Sequence, residues 1–172
     1  MPPTWLNGHM EPTSSRPYMP GYGVQASSEG TGLLPWSWAV DRLTACRHYW
    51  LATVSPDRSP HVMPVWGLWH DDALWFSSSP GSRKARNLRR DPRATATTDD
   101  ATEPVVVQGK VTVVREEPVI RRFAALVNAK YEAHDPPDFY LANAVFRLTP
   151  VVVIGLTAED FTGSPTRWTF KR

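Results

Sequence analysis

The 172-residue sequence predicts a mainly β protein: a small antiparallel barrel of six or seven strands, flanked by two or three helices. Two observations predict this fold class. Short segments rich in β-branched and aromatic residues recur along the chain, and most of them are joined by turns rather than by helical crossovers. The length is enough for one domain with a substantial core and too short for two.

Residues 1–35 form a leader rich in Pro, Gly, Ser and Thr, which predicts irregular structure ahead of a compact body over residues 36–172. Within that body, helical spacing of apolar residues predicts a first helix over 34–49, with Pro35 in its first turn. Residues 49–55 and 61–69 then predict two strands of a hairpin.

The second half of the body follows the same pattern of strands and turns. A Gly109 inside one strand predicts a bulge or a bend. The residue before Pro92 ends the second helix, because the preceding position disfavours helical geometry. Strands are predicted over 73–78, 93–98, 105–115, 144–148, 151–156 and 167–170, and helices over 82–90 and 118–132.

The segment with the clearest chemistry joins the third strand to the second helix. Ser77 and Ser78 end the strand, and Ser82, Arg83 and Lys84 open the helix. A helix N-terminus presents free N–H groups and a positive dipole, Arg can grip two phosphate oxygens, and Ser82 suits the N-cap. The arrangement predicts a site for a phosphate monoester, although a solvated basic helix would carry similar residues. No Walker or Gly-x-Gly-x-x-Gly pattern is present.

Several runs of the chain then resemble the pyridoxamine-phosphate-oxidase-like superfamily, and within it the flavin- and deazaflavin-dependent oxidoreductases. The runs are WLATV (50–54), SPHVMPVW (59–66), LWFS (74–77), SRKARNLRRDPR (82–93), FRLTP (146–150) and PTRWTF (165–170). The resemblance implies a split β-barrel homodimer with two cofactors at the subunit interface. It also implies that the strand 61–66 runs beside the cofactor ring.

The resemblance assigns further roles by position. Backbone groups around Pro64 and Val65 would bond the ring edge, and Arg167 would reach the site from the partner subunit, with Trp168 beside it. The complete set of expected cofactor-binding residues is His61, Met63, Pro64, Val65, Trp66, Ser77, Ser78, Ser82, Arg83, Lys84, Asn87, Arg167 and Trp168.

The chain also departs from pyridoxamine phosphate oxidase itself. His61 and Trp66 stand where that enzyme has an arginine and a lysine, so positive charge near the flavin is lost. We therefore do not expect pyridoxine phosphate as the substrate. The expected activity is hydride transfer between coenzyme F420 and a small unsaturated or quinone-like molecule. The alternatives are an FMN-dependent oxidase or reductase and a non-catalytic flavin- or heme-binding protein.

Other features exclude classes of function. The single cysteine, Cys46, allows no intrachain disulfide and no multi-cysteine metal site, and we nominate no metal ligand. No nucleophile has an adjacent base, so no catalytic side chain is nominated, and the cofactor would carry the chemistry. A net charge of +2 does not call for a nucleic-acid partner. No signal peptide or membrane-spanning stretch is recognised, which predicts a cytoplasmic protein.

Overall fold

The computed structural model describes residues 11–171, and within them the chain forms eight strands and four helices. The elements, in chain order, are β1 (Thr13–Ser15), α1 (Trp36–Ala45), β2 (His48–Val54), β3 (Pro60–His70), β4 (Ala73–Ser78), α2 (Arg83–Arg90), β5 (Arg93–Thr97), β6 (Val105–Val114), α3 (Glu117–Tyr131), α4 (Pro137–Ala142), β7 (Ala144–Gly155) and β8 (Thr166–Thr169).

Strands β2 to β7 close into a six-stranded antiparallel barrel, which confirms the predicted architecture. Neighbours in the barrel follow the order β4, β3, β2, β5, β6, β7, and β7 pairs back onto β4. The first half of β7 pairs with β4, while its second half pairs with β8. β1 adds antiparallel to the far edge of β8, so the sheet extends beyond the barrel.

Two clusters of buried side chains hold the barrel together. Alternate residues of the strands fill the interior, and α1 contributes Leu43 to this cluster. The second cluster lies between the outer face of β3 and β4 and the apolar face of α3, where Phe123 and Val127 pack on Leu68 and Trp75. α3 is therefore fixed against the outside of the barrel at the β3–β4 hairpin.

The bulge predicted at Gly109 is present, and it explains why two predicted strands are one. The register of β6 against β7 shifts between Gln108 and Gly109, and Gly109 lies opposite Pro150. A Cβ atom at position 109 would stand 2.0 Å from the Thr149 carbonyl oxygen, so only glycine fits. The sequence predicted two strands, 144–148 and 151–156, with a break at Thr149–Pro150. This prediction was wrong, because the bulge accommodates Pro150, which donates no hydrogen bond to the ladder.

The leader is more ordered than the composition predicts. Thr13–Ser15 form β1, and the guanidinium group of Arg16 donates to six carbonyl oxygens, those of Gln25, Ala26, Glu29, Gly32, Gly163 and Pro165. This single side chain ties residues 25–32 to the segment that precedes β8. Residues 1–10 of the predicted leader lie outside the described residues.

Candidate functional site

A split opens between β3 and β4. β3 pairs with β2 over Pro60–Trp66, but it pairs with β4 only over Gly67–His70. Past the pair Gly67–Phe76 the two strands diverge, while Ser77 and Ser78 continue to pair with β7. One wall of the split is therefore the free edge of β3, and the other is the end of β4 with the start of α2.

The backbone groups on the free edge of β3 can be assigned from the ladder. His70 and Ala73 close a two-residue turn in which Asp71 and Asp72 have positive φ, so His70 exchanges hydrogen bonds with β4. Successive residues of an antiparallel strand bond to opposite neighbours. From His70 toward Pro60, every second residue therefore directs its backbone groups toward β4 or toward the split. The carbonyl groups of Val62, Pro64 and Trp66 lie on the open edge as a result.

This alternation corrects one expectation. The backbone of Val65 faces β2, and its side chain is buried, so Val65 offers nothing to a molecule in the split. The Pro64 carbonyl and the Trp66 N–H and carbonyl groups are the ones that could bond a ring edge. His61 and Met63 also bond through their backbones to β2 and contribute side chains only.

The start of α2 is a cationic end of the split. The hydroxyl oxygen of Ser82 accepts a hydrogen bond from the Ala85 N–H at 3.1 Å and so caps the helix, as predicted. The hydroxyl groups of Ser78 and Ser82 lie 2.9 Å apart, which joins the β4 end to the cap. Arg83 is exposed and Lys84 is half-buried, and neither side chain bonds another residue within 11–171. The first-turn N–H groups of Arg83 and Lys84 have no intrahelical acceptor.

Asn87 positions this helix rather than facing the split. It is only 1% exposed, and its side-chain amide donates to the Thr53 hydroxyl at 3.1 Å, which ties α2 to β2. Arg90, one turn later, donates to the Ser55 carbonyl at 2.6 Å. Asn87 thus supports the helix that carries the cationic residues and does not face the split itself.

His61 lies at the open end of the split, opposite Thr53 in the ladder. Its Nδ1 atom is buried and has no hydrogen-bond partner among the described residues. The side chain of Met63, two residues along β3, is 46% exposed. An unused imidazole nitrogen and a flexible apolar side chain thus remain available beside the cationic end.

Trp66 marks the closed end of the split, where β3 and β4 join. Its ring is 51% exposed on one side and stacks on Tyr131 of α3 on the other, with ring centroids 4.3 Å apart and an interplanar angle of 2°. Tyr131 was not among the predicted site residues, because in the sequence it is one more apolar position of an amphipathic helix.

The two C-terminal residues expected at the site lie elsewhere in this chain. Trp168 is fully buried in the barrel core between Trp36 and Trp38, so its predicted contact with a cofactor was wrong. Arg167 is exposed, but its strand is not a neighbour of β3, because β7 and β4 lie between β8 and β3 in the sheet. A role for Arg167 in a partner's site stays a prediction.

The outer face of β2, β5, β6 and β7 carries an open groove of about 510 Å³. Its lining includes Ala52, Thr95, Gln108, Lys110 and Val152. The edge of the same face, on β2 and β3, exposes large apolar side chains: Trp50 is 46% and Val62 51% exposed. The split therefore borders an apolar outer face.

Comparison with known proteins gives the family. Residues 39–163 match the family model described as pyridoxamine 5'-phosphate oxidase. No curated protein matches the chain. Among solved structures, a conserved hypothetical protein of Mycobacterium tuberculosis is 21% identical, with a TM-score of 0.68. The match covers 80% of this chain and 91% of that one.

Two further structures share the fold. One named F420 reductase is 24% identical, with a TM-score of 0.57, over 66% of this chain and 93% of that one. A protein of Mesorhizobium loti named as FAD-binding is 23% identical, with a TM-score of 0.58, over 79% of this chain and 96% of that one. These likenesses show the barrel architecture.

Two kinds of feature are absent from the described residues. Residues 11–171 contain no group of three or more His, Cys, Asp or Glu side chains placed to hold a metal ion. No helix in the same range is long and apolar enough to cross a membrane.

Proposed function

Because the chain belongs to the pyridoxamine 5'-phosphate oxidase family, we propose that it is an oxidoreductase holding a phosphorylated flavin-type cofactor in the split between β3 and β4. The favoured cofactor is coenzyme F420, and the favoured substrate is a small unsaturated or quinone-like molecule. The observation that carries the proposal is the cationic end of the split, where the side chains of Arg83 and Lys84 make no hydrogen bond or ion pair with residues 11–171, although Arg83 is near enough to Asp57 to lower the pKa of that carboxyl group.

The residues at that end fit a phosphate monoester. The start of α2 brings together two basic residues, two first-turn N–H groups without an intrahelical acceptor and the Ser82 hydroxyl, which lies 2.9 Å from that of Ser78 at the end of β4. Charge-assisted hydrogen bonds from Arg and Lys are stronger than neutral ones, and a helix N-terminus favours an anion. The Nδ1 atom of His61, nearby on β3, is buried and has no hydrogen-bond partner among the described residues.

The rest of the split fits a planar ring. The Pro64 carbonyl and the Trp66 N–H group face the opening and can bond polar atoms at a ring edge. When bound, a reduced cofactor of this type supplies a hydride, and the substrate takes it up together with a proton. The chain's own residues would bind, orient and shield the reactants, because the cofactor carries the chemistry in such proteins.

The choice of F420 over FMN rests on the residues that replace cations. His61 and Trp66 leave less positive charge along β3 than the oxidase pattern has. One structural neighbour is named an F420 reductase, which agrees with this choice, while another is named FAD-binding and supports the FMN-type alternative. A heme protein is less well supported, because nothing in the sequence pairs His61 with a second ligand.

We also propose a homodimer through the apolar outer face. Trp50, Val62 and the groove of about 510 Å³ form an exposed surface beside the split. Large exposed apolar patches mark interaction sites, and a symmetric partner would bring its own exposed Arg167, on the strand β8 next to β7, toward the split.

The phosphate site is tested by removing its two cations together. We expect Arg83→Ala with Lys84→Ala to weaken F420 binding by about 2–5 kcal/mol, since two charge-assisted contacts are lost. Isothermal titration with F420 and with FMN measures both affinities. The control is Arg121→Ala with Arg122→Ala, which removes an adjacent pair of exposed cations from α3.

Unchanged F420 and FMN affinity in a folded Arg83/Lys84 variant would refute the phosphate site. Weakened binding of FMN, without any affinity of the wild-type protein for F420, would keep the site and replace the cofactor.

A further inference from the structure

The closed end of the split is held by two neighbouring residues of α3. The hydroxyl group of Tyr131 accepts a hydrogen bond from the Gly67 N–H at 2.8 Å and also contacts the Arg47 carbonyl oxygen. Arg47 and Gly67 would be the next pair of the β2–β3 ladder, after His48 and Trp66. The hydroxyl therefore occupies the place of the next ladder bond and fixes the point at which the ladder ends.

Lys130 closes the same corner. Its ammonium group donates to the Cys46 carbonyl at 2.6 Å, the Gly67 carbonyl at 2.8 Å and the Tyr49 hydroxyl at 3.1 Å. An ammonium group has three N–H bonds, and all three are used inside the chain. Lys130 is thus unavailable to bind a phosphate or carboxylate of a substrate.

These contacts set the position of Trp66. Tyr131 lies parallel to the indole ring at 4.3 Å and covers one of its faces, while half of the Trp66 surface remains exposed. The backbone of Gly67, the next residue, is bound by both Tyr131 and Lys130. A Cβ atom at Gly67 would lie 2.8 Å from the Trp75 carbonyl oxygen, so this junction has little room to move.

A second cationic group, besides Lys130, borders the Tyr131 ring. The Arg47 guanidinium carbon lies 5.7 Å from the centre of the Tyr131 ring, and the Arg47 side chain is exposed. A guanidinium group donates hydrogen bonds to an oxygen of a bound molecule. The exposed indole face of Trp66 suits a flat conjugated ring, which the quinone-like substrate of the proposed function has.

We propose that Lys130 and Tyr131 are positioning residues that fix Trp66 as a stacking surface for the substrate, a planar conjugated carbonyl compound. This inference rests on the proposed function, and it separates the roles of Trp66: its backbone faces the cofactor ring, and its side chain faces the substrate. Stacking on an aromatic face tolerates many rings, because every such ring has a π face.

The test uses duroquinone, a planar quinone without a free ring position, and the full-length protein without cofactor. We expect Trp66→Ala to weaken duroquinone binding about tenfold or more in equilibrium dialysis. Tyr131→Leu and Lys130→Met should each weaken it several-fold. Tyr131→Phe, which keeps the stacked ring, should recover part of the loss relative to Tyr131→Leu. Tyr140→Phe, the same change on α4, should have no effect.

A second readout reports position directly. The near-ultraviolet circular dichroism of Trp66, obtained as wild type minus Trp66→Ala, should weaken in Lys130→Met and remain in Tyr140→Phe. If Tyr131→Leu does not fold, Lys130→Met and Tyr131→Phe carry the test.

Wild-type duroquinone affinity in Trp66→Ala would overturn the stacking surface. A loss in Trp66→Ala with no change of affinity or dichroism in either α3 variant would overturn the positioning role. The Arg83/Lys84 double variant, which is expected to lose F420 affinity, should bind duroquinone normally. Failure of the phosphate site and failure of this inference therefore give different results.

Discussion

The hydrogen bond between Asn87 and Thr53 makes a sharp prediction about how the cationic helix is held. Both side chains are buried, at 1% and 2% exposure, and the amide donates to the hydroxyl at 3.1 Å. Thr53→Val removes the acceptor without changing the shape and leaves the Asn87 amide unpaired. We expect a loss of about 1–3 kcal/mol in the free energy of unfolding, the cost of an unsatisfied buried group.

Asn87→Leu should cost about the same, because the Thr53 hydroxyl then lacks its partner. Replacing both residues removes the unpaired groups together. The double variant should therefore lose less than the sum of the two single losses, with a coupling energy of about 1–2 kcal/mol. Urea unfolding of the wild type, the two single variants and the double variant measures this coupling energy, provided that the free energy of unfolding depends on urea concentration with the same slope in all four.

The same variants report on the site. Because α2 carries Arg83 and Lys84, a helix that shifts on β2 should also bind the cofactor more weakly, even where the protein stays folded. Single losses that add within about 0.5 kcal/mol would show that the two side chains act independently, and the proposed tie between α2 and β2 would be refuted.

Three further predictions concern other parts of the chain. Gly109→Ala should lower the free energy of unfolding by about 1–3 kcal/mol or more, because its Cβ would meet the Thr149 carbonyl at 2.0 Å, whereas Gly81→Ala, with its nearest neighbour at 3.9 Å, should change little in the same urea assay. Burial lowers the pKa of Lys130 to about 8 from 10.5, so the unfolded chain binds more protons than the folded chain between these two pH values. The free energy of unfolding of the wild type should therefore rise with pH across that window relative to that of Lys130→Met. Parallel pH profiles of the two proteins would contradict this. Arg16→Lys cannot reach six carbonyl groups, so limited chymotrypsin cleavage within residues 17–32 should become about tenfold faster or more, and an unchanged rate would count against the tether.

Much of the barrel could be predicted because its strands alternate and its turns use residues with a specific geometry. β4 (Ala73–Ser78) has the bounds that were predicted for it. The Ser82 cap and the Gly109 bulge were both expected from local rules. β1 was missed because three polar residues carry no periodic signal; it forms only because the edge of β8 is available. α4 is short and starts in a Pro-Pro pair, which predicts a turn equally well.

The site was predictable where the chemistry is local in sequence. Serine, arginine and lysine at a helix start can be recognised without the fold. The errors fell on residues whose role depends on which way a strand faces: Val65 points its backbone to β2, and Trp168 points its ring into the core. Tyr131 could not be found at all, since its contact with Trp66 joins elements 65 positions apart in the chain.

The open edge of β3 has a consequence for the protein's behaviour in concentrated solution. An unpaired strand edge invites a strand of another molecule to add to it, which is a route to aggregation. Because the backbone direction alternates along β3, Pro60 and Pro64 both have their backbone groups on this open edge. Neither proline has an N–H group to donate. An incoming strand would meet two gaps in the ladder within five residues. The chain can thus keep its split accessible to a small molecule while remaining a poor template for β-sheet growth.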